Sequence, residues 1–361
     1  MILATILTLS LTIATSSAIP IAQSTTTEYV PLSIPLAQIY THKPVTILPK
    51  YPEQHTISGF QYVAQTFNNC GPAALAMVFD HFGTPVSQEY LADDLRPFNN
   101  PEGGFDDKAV FPEELVSEAK KYGYDAVYRP EGNVRMLKQL IANEIPVIMR
   151  SWLDDKEDIG HYKIVKGYDN VTNTFMFDDS YIGPDQVLSY EETEKLWKPF
   201  NYTYVLIYPK EKSSVVEAIL GQNIDEKKAW NNALLRAQND SNRDADDGYA
   251  RYNQAIAHYY LGNYQESTTY FETSREKVPE RILWYQPEPV FAYKFIKQYD
   301  KATELADEIL NNGNLAFSEL YKIKGDIHRE RGDVKQAKEY YSLAELYNKN
   351  YLPAREALKT L

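Results

Sequence analysis

Cysteine is nearly absent from this sequence, since Cys70 is the only one in 361 residues. A single cysteine cannot form a disulfide within the chain. Its thiol is therefore an inert part of a core, one half of a bridge to a partner, or a nucleophile. The stretch around it, QTFNNCGPAALAMVFDHFG (65–83), places the thiol directly before a Gly-Pro pair and an apolar run with helical spacing.

Positive charge is also scarce, because 37 Lys and Arg face 50 Asp and Glu, which gives a formal net charge of −13. The chain has no run rich in Lys or Arg, and binding to nucleic acid phosphates requires a cationic face. The composition therefore argues against a nucleic acid partner. With 43% hydrophobic and 13% aromatic residues, the chain has enough apolar side chains to build packed cores, and its length suffices for two domains.

Long apolar runs are missing except at the N-terminus, where residues 2–18 read ILATILTLSLTIATSSA. This run predicts a signal peptide over residues 1–18, cleaved after Ser16-Ser17-Ala18, and hence a secreted or extracytoplasmic protein. No Lys or Arg precedes the run, so the α-amine would supply the positive end of the signal peptide. An uncleaved membrane anchor is the alternative, for which about 17 residues is the short limit of a span. Residues 19–55 read as an extended, Pro- and Thr-containing segment before the first domain.

Helical and strand-like patterns both occur in residues 56–210, which predicts an α+β domain. The predicted helices come first and span residues 71–82, 88–95, 112–122 and 134–143. The predicted strands follow and span residues 146–152, 161–168, 174–179 and 202–208. Because helices precede strands that suit antiparallel pairing, we expect two segregated layers.

Strand signals stop after Pro209, and charged helical sequence follows. Residues 211–244 are predicted to be a helical linker or cap, and residues 245–361 contain an internal repeat. Three sets of positions recur at an interval of 35 residues: Tyr264, Tyr299 and Val334; Ser267, Ala302 and Ala337; Phe271, Ala306 and Tyr341. A small residue with a bulky residue one turn further on suits stacked helix pairs.

The period of this repeat resembles that of the tetratricopeptide repeat, with a degenerate middle unit that follows Pro287 and Pro289. An unrelated helical bundle is the alternative. Three stacked units should form their own core, so we expect the two domains to separate. The repeats would then act as a platform for a substrate or a protein partner and not as part of the catalytic machinery.

The predicted surroundings of Cys70 favour the thiolate. A helix that begins at this residue places the sulfur over unpaired backbone N–H groups at the positive end of the helix dipole, which lowers the pKa of a thiol. Pro72 suits the first turn, because its missing N–H costs nothing there. The apolar side chains of the run lie on one face, so the helix can be buried lengthwise while its first residue opens to a cleft.

A thiolate nucleophile requires a proton acceptor and donor, and imidazole titrates in the right range. The chain has six histidines. Five are set aside because they lie before the domain, at repeat positions, or about 16 Å along the helix from the thiol: His42, His55, His258, His328 and His81. His161, which opens the strand-like run HYKIVKGYD, remains.

A carboxylate that orients the imidazole comes from the next strand. Residues 161 and 179 lie almost equally far from Asn170 in the turn, so the His161 end of one strand should meet Asp178 and Asp179 on the other. Neighbours on a strand point to opposite faces, so only one aspartate should face the histidine.

The oxyanion of a tetrahedral intermediate also requires donors. The backbone N–H of Cys70 is one candidate, and a side-chain amide shortly upstream is the second. Gln65 lies five residues before the thiol, and Asn68 and Asn69 are closer competitors.

These motifs resemble those of the double-glycine cysteine peptidases that process bacteriocins, family 39 of the cysteine peptidases, and in particular their stand-alone peptidase-like domains. The resemblance rests on NCGPAALAM (69–77), GHY with GYD (160–169), and DS with GP (179–184). It implies a papain-like fold in which Cys70 is the nucleophile, His161 the base, Asp179 the orienting residue and Gln65 part of the oxyanion hole. The family's usual Asp-Pro is Asp-Ser here, which leaves Asp178 as an alternative to Asp179.

The sequence therefore predicts an α+β papain-like cysteine peptidase domain followed by an all-α tetratricopeptide-like repeat domain. The expected function is that of an exported thiol hydrolase, a peptidase or amidase, that acts on a peptide or protein substrate. No metal or organic cofactor is implied. Two alternatives remain: a thiol acyltransferase or crosslinking enzyme, and a non-catalytic peptide-binding module that acts through the repeats.

Overall fold

A computed structural model describes residues 51–98 and 109–361 of the chain. The predicted signal peptide, most of the segment up to residue 55, and His42 lie outside the described residues. Within the described ranges, no helix is long and apolar enough to cross a membrane.

The first part of the described chain contains both helices and strands. Its helices are α1 (Cys70–His81), α2 (Gln88–Leu95), α3 (Pro112–Lys121), α4 (Val134–Ala142), α5 (Tyr190–Trp197) and α6 (Ser213–Leu220). Its strands are β1 (Gln54–Thr56), β2 (Asp125–Arg129), β3 (Val147–Trp152), β4 (Gly160–Asp169), β5 (Thr174–Asp179), β6 (Gly183–Ser189) and β7 (Tyr204–Tyr208). All of the predicted helices and strands are present, whereas β1, β2, β6 and α5 were not predicted.

These strands form one antiparallel sheet in the order β2-β7-β3-β4-β5-β6, and β1 pairs with residues 167–169 at the C-terminal end of β4. Helices α1, α2 and α3 pack on one face of the sheet, against Ile148, Ile164 and neighbouring side chains. Helices α4 and α6 pack on the other face, against Val147 and Val165. The expectation of two segregated layers is therefore wrong, because the central strands are apolar on both faces and each face requires a helical cover.

The second part of the described chain is all-helical. Its helices are α7 (Glu226–Arg243), α8 (Gly248–Tyr260), α9 (Tyr264–Ser274), α10 (Ile282–Tyr285), α11 (Glu288–Phe295), α12 (Tyr299–Asn311), α13 (Ser318–Glu330), α14 (Val334–Tyr347) and α15 (Leu352–Lys359). The 35-residue interval corresponds to the first residues of α9, α12 and α14. The three small repeat positions are fully buried: Ser267, Ala302 and Ala337. This arrangement is consistent with a helical repeat domain, and the resemblance to the tetratricopeptide repeat stays a prediction.

The middle repeat is irregular at the point where the prolines occur. Pro287 and Pro289 lie at the start of the short helix α11, where a missing N–H is tolerated. The single-turn helix α10 precedes them and carries Trp284 and Tyr285, which are both 8% exposed. The irregularity therefore brings a short aromatic helix against the first, α+β part of the chain.

One hydrophobic core spans both parts of the chain. Trp152 and Phe200 of the first part belong to the same buried cluster as Tyr252, Phe271 and Tyr285 of the second. The described residues accordingly all belong to one compact unit. The repeats therefore share this core with the first part, instead of having the separate core that was expected, because the end of the central strand β3 and the helices bury aromatic side chains against each other.

Candidate active site

The thiol lies at the first residue of α1. Every residue from Gly71 to Phe79 is buried, whereas Cys70 itself is partly exposed, so the helix is anchored lengthwise and its first residue faces a cleft. Backbone N–H groups in the first turn of a helix have no intrahelical acceptor, and they provide a positive environment for the sulfur.

The loop before the thiol is held by α2 and the residue that follows it. The Gln88 side chain accepts a hydrogen bond from the Thr66 N–H at 2.9 Å and donates one to the Ala64 carbonyl at 2.8 Å. The buried Arg96 guanidinium donates to Asn69 Oδ1 at 2.7 Å. The amide of Asn69 also donates to Thr66 Oγ1 at 2.7 Å, so this competitor for the oxyanion hole is engaged in holding the loop.

His161 and Asp179 are in direct contact. Nε2 of His161 lies 2.8 Å from Oδ1 of Asp179, and both side chains are almost completely buried. This contact leaves Nδ1 of the imidazole to face the thiol of Cys70, and the two groups are close enough for each to shift the pKa of the other. The structure thus brings together the predicted cysteine, histidine and aspartate.

A β-bulge decides which aspartate faces the histidine. Ile164 pairs with Asp178, but the register shifts by one residue between Val165 and Gly167. A one-residue shift exchanges the two faces of a strand, and here it puts Asp179 on the face of His161.

Asp178 lies on the opposite face of β5 and has a different partner. It forms an ion pair with Lys166 at 2.6 Å and accepts a hydrogen bond from the backbone N–H of Asp185 at 3.1 Å. Lys166 is the extra residue of the bulge, so the same feature holds both aspartates in place.

Charges in the site favour a thiolate–imidazolium pair. Burial alone would raise the pKa of the Cys70 thiol, but the hydrogen bond and charge of His161, helped by the Tyr162 N–H and the Arg96 guanidinium, lower it. Burial alone would lower the pKa of His161, but its contacts with Asp179 and Cys70 raise it to about 9. Burial opposes ionisation of Asp179 as well, yet the hydrogen bond and charge of His161 lower its pKa to about 2.

Gln65 is oriented by Ser180, which directly follows Asp179. The Ser180 hydroxyl donates to Gln65 Oε1 at 2.8 Å, and the Gln65 N–H donates to the Ser180 carbonyl at 2.9 Å. With its oxygen engaged, the amide presents its NH₂ group to the cleft. This group and the backbone N–H of Cys70 can serve as the two donors of an oxyanion hole.

Sequence reasoning missed Lys163 and Ser180. Nζ of the buried Lys163 lies 3.7 Å from Oδ2 of Asp179 and donates to the Leu153 carbonyl at 3.1 Å. Burial lowers the pKa of Lys163. A signal was present in the sequence, because Lys163 lies two residues after His161 on the same strand and so shares its face.

The thiol opens into a cavity of ≈ 370 Å³. Residues of the α+β part that line it are Gln65, Thr66, Phe67, Asn68, Cys70, Leu153, Ile159, Gly160, His161 and Tyr181. The opposite wall belongs to the helical part and consists of Arg281, Trp284 and Tyr285. A Cβ atom on Gly160 would lie 2.6 Å from the ring of Tyr285, so only glycine fits beside the histidine.

Acidic, histidine and cysteine side chains elsewhere do not gather into a metal site. Among the described residues, no group of three or more such side chains is arranged to hold a metal ion.

Comparisons with known proteins give one family match. Residues 57–205 match the family model described as Peptidase_C39 like family. No curated protein matches the chain.

Among solved structures, the peptidase domain of Streptococcus ComA, a bi-functional ABC transporter involved in a quorum sensing pathway, is 21% identical, with a TM-score of 0.34 over 42% of this chain and 100% of that chain. A C39-like peptidase from Bacillus anthracis is 18% identical, with a TM-score of 0.36 over 44% and 99% of the two chains. A double glycine motif protease from an AMS/PCAT transporter, in complex with the leader peptide, is 18% identical, with a TM-score of 0.31 over 44% and 99%.

Proposed function

Because residues 57–205 form a C39-like peptidase domain, we propose that this protein is a thiol hydrolase that cleaves a peptide or amide bond. Cys70 is the nucleophile, His161 the general acid and base, and Asp179 the residue that orients the imidazole. Gln65 and the Cys70 N–H bind the oxyanion. The proposal includes export of the protein, for which the N-terminal apolar run is the support.

In the acylation step, the Cys70 thiolate attacks the carbonyl carbon and forms a C–S bond, while the carbonyl oxygen becomes an oxyanion. The His161 imidazolium then donates its Nδ1 proton to the leaving nitrogen, and the C–N bond breaks. The amine leaves, and a thioester on Cys70 and a neutral imidazole remain.

In the deacylation step, the neutral imidazole of His161 takes a proton from water as the water oxygen attacks the thioester carbonyl. The C–S bond breaks, the carboxylic product leaves, and the thiolate–imidazolium pair forms again. Asp179 stays ionised throughout and holds the imidazolium in position.

The observation that carries this proposal is that Cys70 and His161 line the same open cavity, while Asp179 holds the imidazole at 2.8 Å. A lone buried cysteine of a structural core would have neither the ion pair nor the cavity. The burial of His161 and Asp179 also strengthens their interaction, since the local dielectric is low.

The pH dependence of alkylation tests this proposal. We expect iodoacetamide to alkylate Cys70 well below the unperturbed thiol pKa of about 8.5, because the ion pair supplies thiolate at lower pH. Turnover should decline as the pH rises through about 9, since His161 then loses the proton that the leaving amine requires. Mass spectrometry of protein alkylated across a pH series measures the pH dependence of alkylation. Peptide hydrolysis across the same series measures the decline in turnover.

The control for this experiment is His161→Ala, which should move the alkylation profile to higher pH, because the thiol loses its hydrogen bond and its positive partner. An identical profile in this variant would remove His161 from the site. Products formed with and without an added amine distinguish hydrolysis from acyl transfer.

A further inference from the structure

Helix α10 and the residue before it place a single cation at the thiol cavity. Among the described residues that line this cavity, Arg281 is the one Lys or Arg, and none is Asp or Glu. The Cys70 thiolate and the His161 imidazolium compensate each other. The charge that Arg281 contributes is therefore the net charge of the cavity wall.

The contacts of Arg281 leave most of its donors for a ligand. Its guanidinium meets Asp158 at 3.5 Å, and both side chains are more than one third exposed, so the pair is weak. The Cζ atom of the same group lies 4.5 Å from the centroid of the Trp284 ring, a cation–π contact that helps to keep the guanidinium at the wall. A guanidinium has five N–H donors in a fixed fork that fits a carboxylate, and one long contact uses few of them.

Charge complementarity identifies the ligand. With a formal net charge of −13, the protein repels anions at long range. A cation in the cavity wall that is paired only weakly with Asp158 therefore creates a local preference for anions that the rest of the surface opposes. A carboxylate is the group of a peptide that a stacked guanidinium binds best. It could come from an acidic side chain or from a free C-terminus.

We propose that Arg281, held by Trp284, is a specificity-determining residue that binds a carboxylate of the substrate close to the scissile bond. The helical part of the chain thereby supplies one subsite of the thiol site. This inference rests on the proposed function, because it requires that Cys70 reacts with the bound molecule.

A pair of reagents tests the inference without knowledge of the substrate. Iodoacetate and iodoacetamide alkylate the same thiol and differ in that iodoacetate carries a carboxylate. We expect Arg281→Gln to lower the ratio of the iodoacetate rate to the iodoacetamide rate at Cys70 by about fivefold, while the iodoacetamide rate stays within about twofold of the wild type. Arg281→Lys should keep most of the ratio, because it keeps the charge.

The matched control is Arg243→Gln, which removes the same charge from an 82% exposed side chain at the end of α7, outside the cavity. Asp158→Asn should raise the ratio, since it removes the carboxylate that competes for Arg281. An unchanged ratio in Arg281→Gln, an equal fall of both rates, or an equal fall of the ratio in Arg243→Gln would overturn the inference. Slow iodoacetamide alkylation in the wild type would instead overturn the proposed function, so the two failures are distinguishable.

Peptide pairs distinguish the two sources of the carboxylate. One pair differs by Glu or Gln beside the scissile bond, and the other by a free or an amidated C-terminus. The wild type should prefer the carboxylate in one of these pairs by kcat/KM, and Arg281→Gln should lose that preference. The absence of a preference in both pairs contradicts the inference.

Discussion

The Ser180 hydroxyl gives the Gln65 amide a single orientation. Without that donor, the amide oxygen and NH₂ group could exchange places, and the donor would leave the cleft for part of the time. Ser180 stands where the resemblance leads one to expect proline, which has no side-chain donor. In this chain the residue that follows Asp179 therefore has a further role, because its hydroxyl fixes the orientation of the Gln65 amide in the oxyanion hole.

We predict that Ser180→Ala lowers kcat for amide hydrolysis by about tenfold, less than the loss of a whole oxyanion donor, which costs about a hundredfold or more. The alkylation profile of Cys70 should not move, because the ion pair is intact. Ser180→Thr should restore kcat, since it keeps the hydroxyl. A shifted alkylation profile in Ser180→Ala would show instead that the residue supports the triad.

The two neighbouring aspartates should differ in what their loss changes. Asp179→Asn removes the negative charge that raises the pKa of His161, so turnover should decline at a lower pH than in the wild type and kcat should fall steeply. Asp178→Asn breaks the pair with Lys166 and should lower stability while the pH profile of the surviving activity stays in place. Identical pH profiles in the two variants would contradict the assignment of Asp179.

Local patterns predicted the positions of Cys70 and His161, because a helix start and a strand start are visible in the sequence. They left Gln65, Asn68 and Asn69 as competitors for the oxyanion hole, and only the family resemblance favoured Gln65. The choice of aspartate depended on register. The expected pairing of residues 161 and 179 is off by two, since Ile164 pairs with Asp178 and Asp179 lies diagonally from His161. Next to the turn, where Asp169 pairs with Thr174, the expected register is off by three residues, and the one-residue bulge reduces this to two, which preserves the face. The bulge has no local sequence signal, so register alone left both aspartates open and only the family resemblance favoured Asp179.

At the scale of elements, the strands that were predicted are those with apolar or aromatic runs. Strand β6 (GPDQVLS) was missed because it lies at the sheet edge and most of its residues are exposed or partly exposed, so it has no hydrophobic pattern. Pro287 and Pro289 marked an irregular repeat, but no local pattern indicates that α10 reaches the thiol cavity. That contact depends on packing between parts of the chain that are more than a hundred residues apart.

The contact between β4 and α10 should be measurable as an energetic coupling. Gly160→Ala places a methyl group 2.6 Å from the Tyr285 ring, so the ring must move, and we expect a loss of about 1–3 kcal/mol in the free energy of unfolding. In a Tyr285→Ala background the same substitution should cost far less, because the ring is gone. Denaturant unfolding of the four proteins of this double-mutant cycle gives the coupling, and additive costs would mean that the ring does not hold the glycine.

At the scale of the whole molecule, the two parts of the chain are joined by polar contacts as well as by the shared cluster. The buried Arg150 of β3 donates to the Tyr285 carbonyl, and the Trp152 indole donates to the Tyr249 hydroxyl at 3.0 Å. The Gln286 amide donates to the Pro199 carbonyl at 2.9 Å. Separation of the two parts would leave these buried groups without partners, which is costly.

We therefore predict that both parts unfold in one transition. Two signals follow them separately: circular dichroism at the helical minimum is dominated by the repeats, and rapid alkylation of Cys70 at pH 6 reports an intact thiol site.

Phe271→Ala removes a fully buried ring of α9 from the shared cluster, at an expected cost of about 3–5 kcal/mol. It should lower the unfolding midpoint measured by circular dichroism and the one measured by Cys70 alkylation together, although the substitution lies outside the peptidase-like part. Val334→Ala, at a 51% exposed repeat position, is the matched control and should leave both midpoints in place. If Phe271→Ala lowers the helical midpoint alone, the repeats unfold independently, and the wall that they contribute to the thiol cavity is not required to keep the thiol activated.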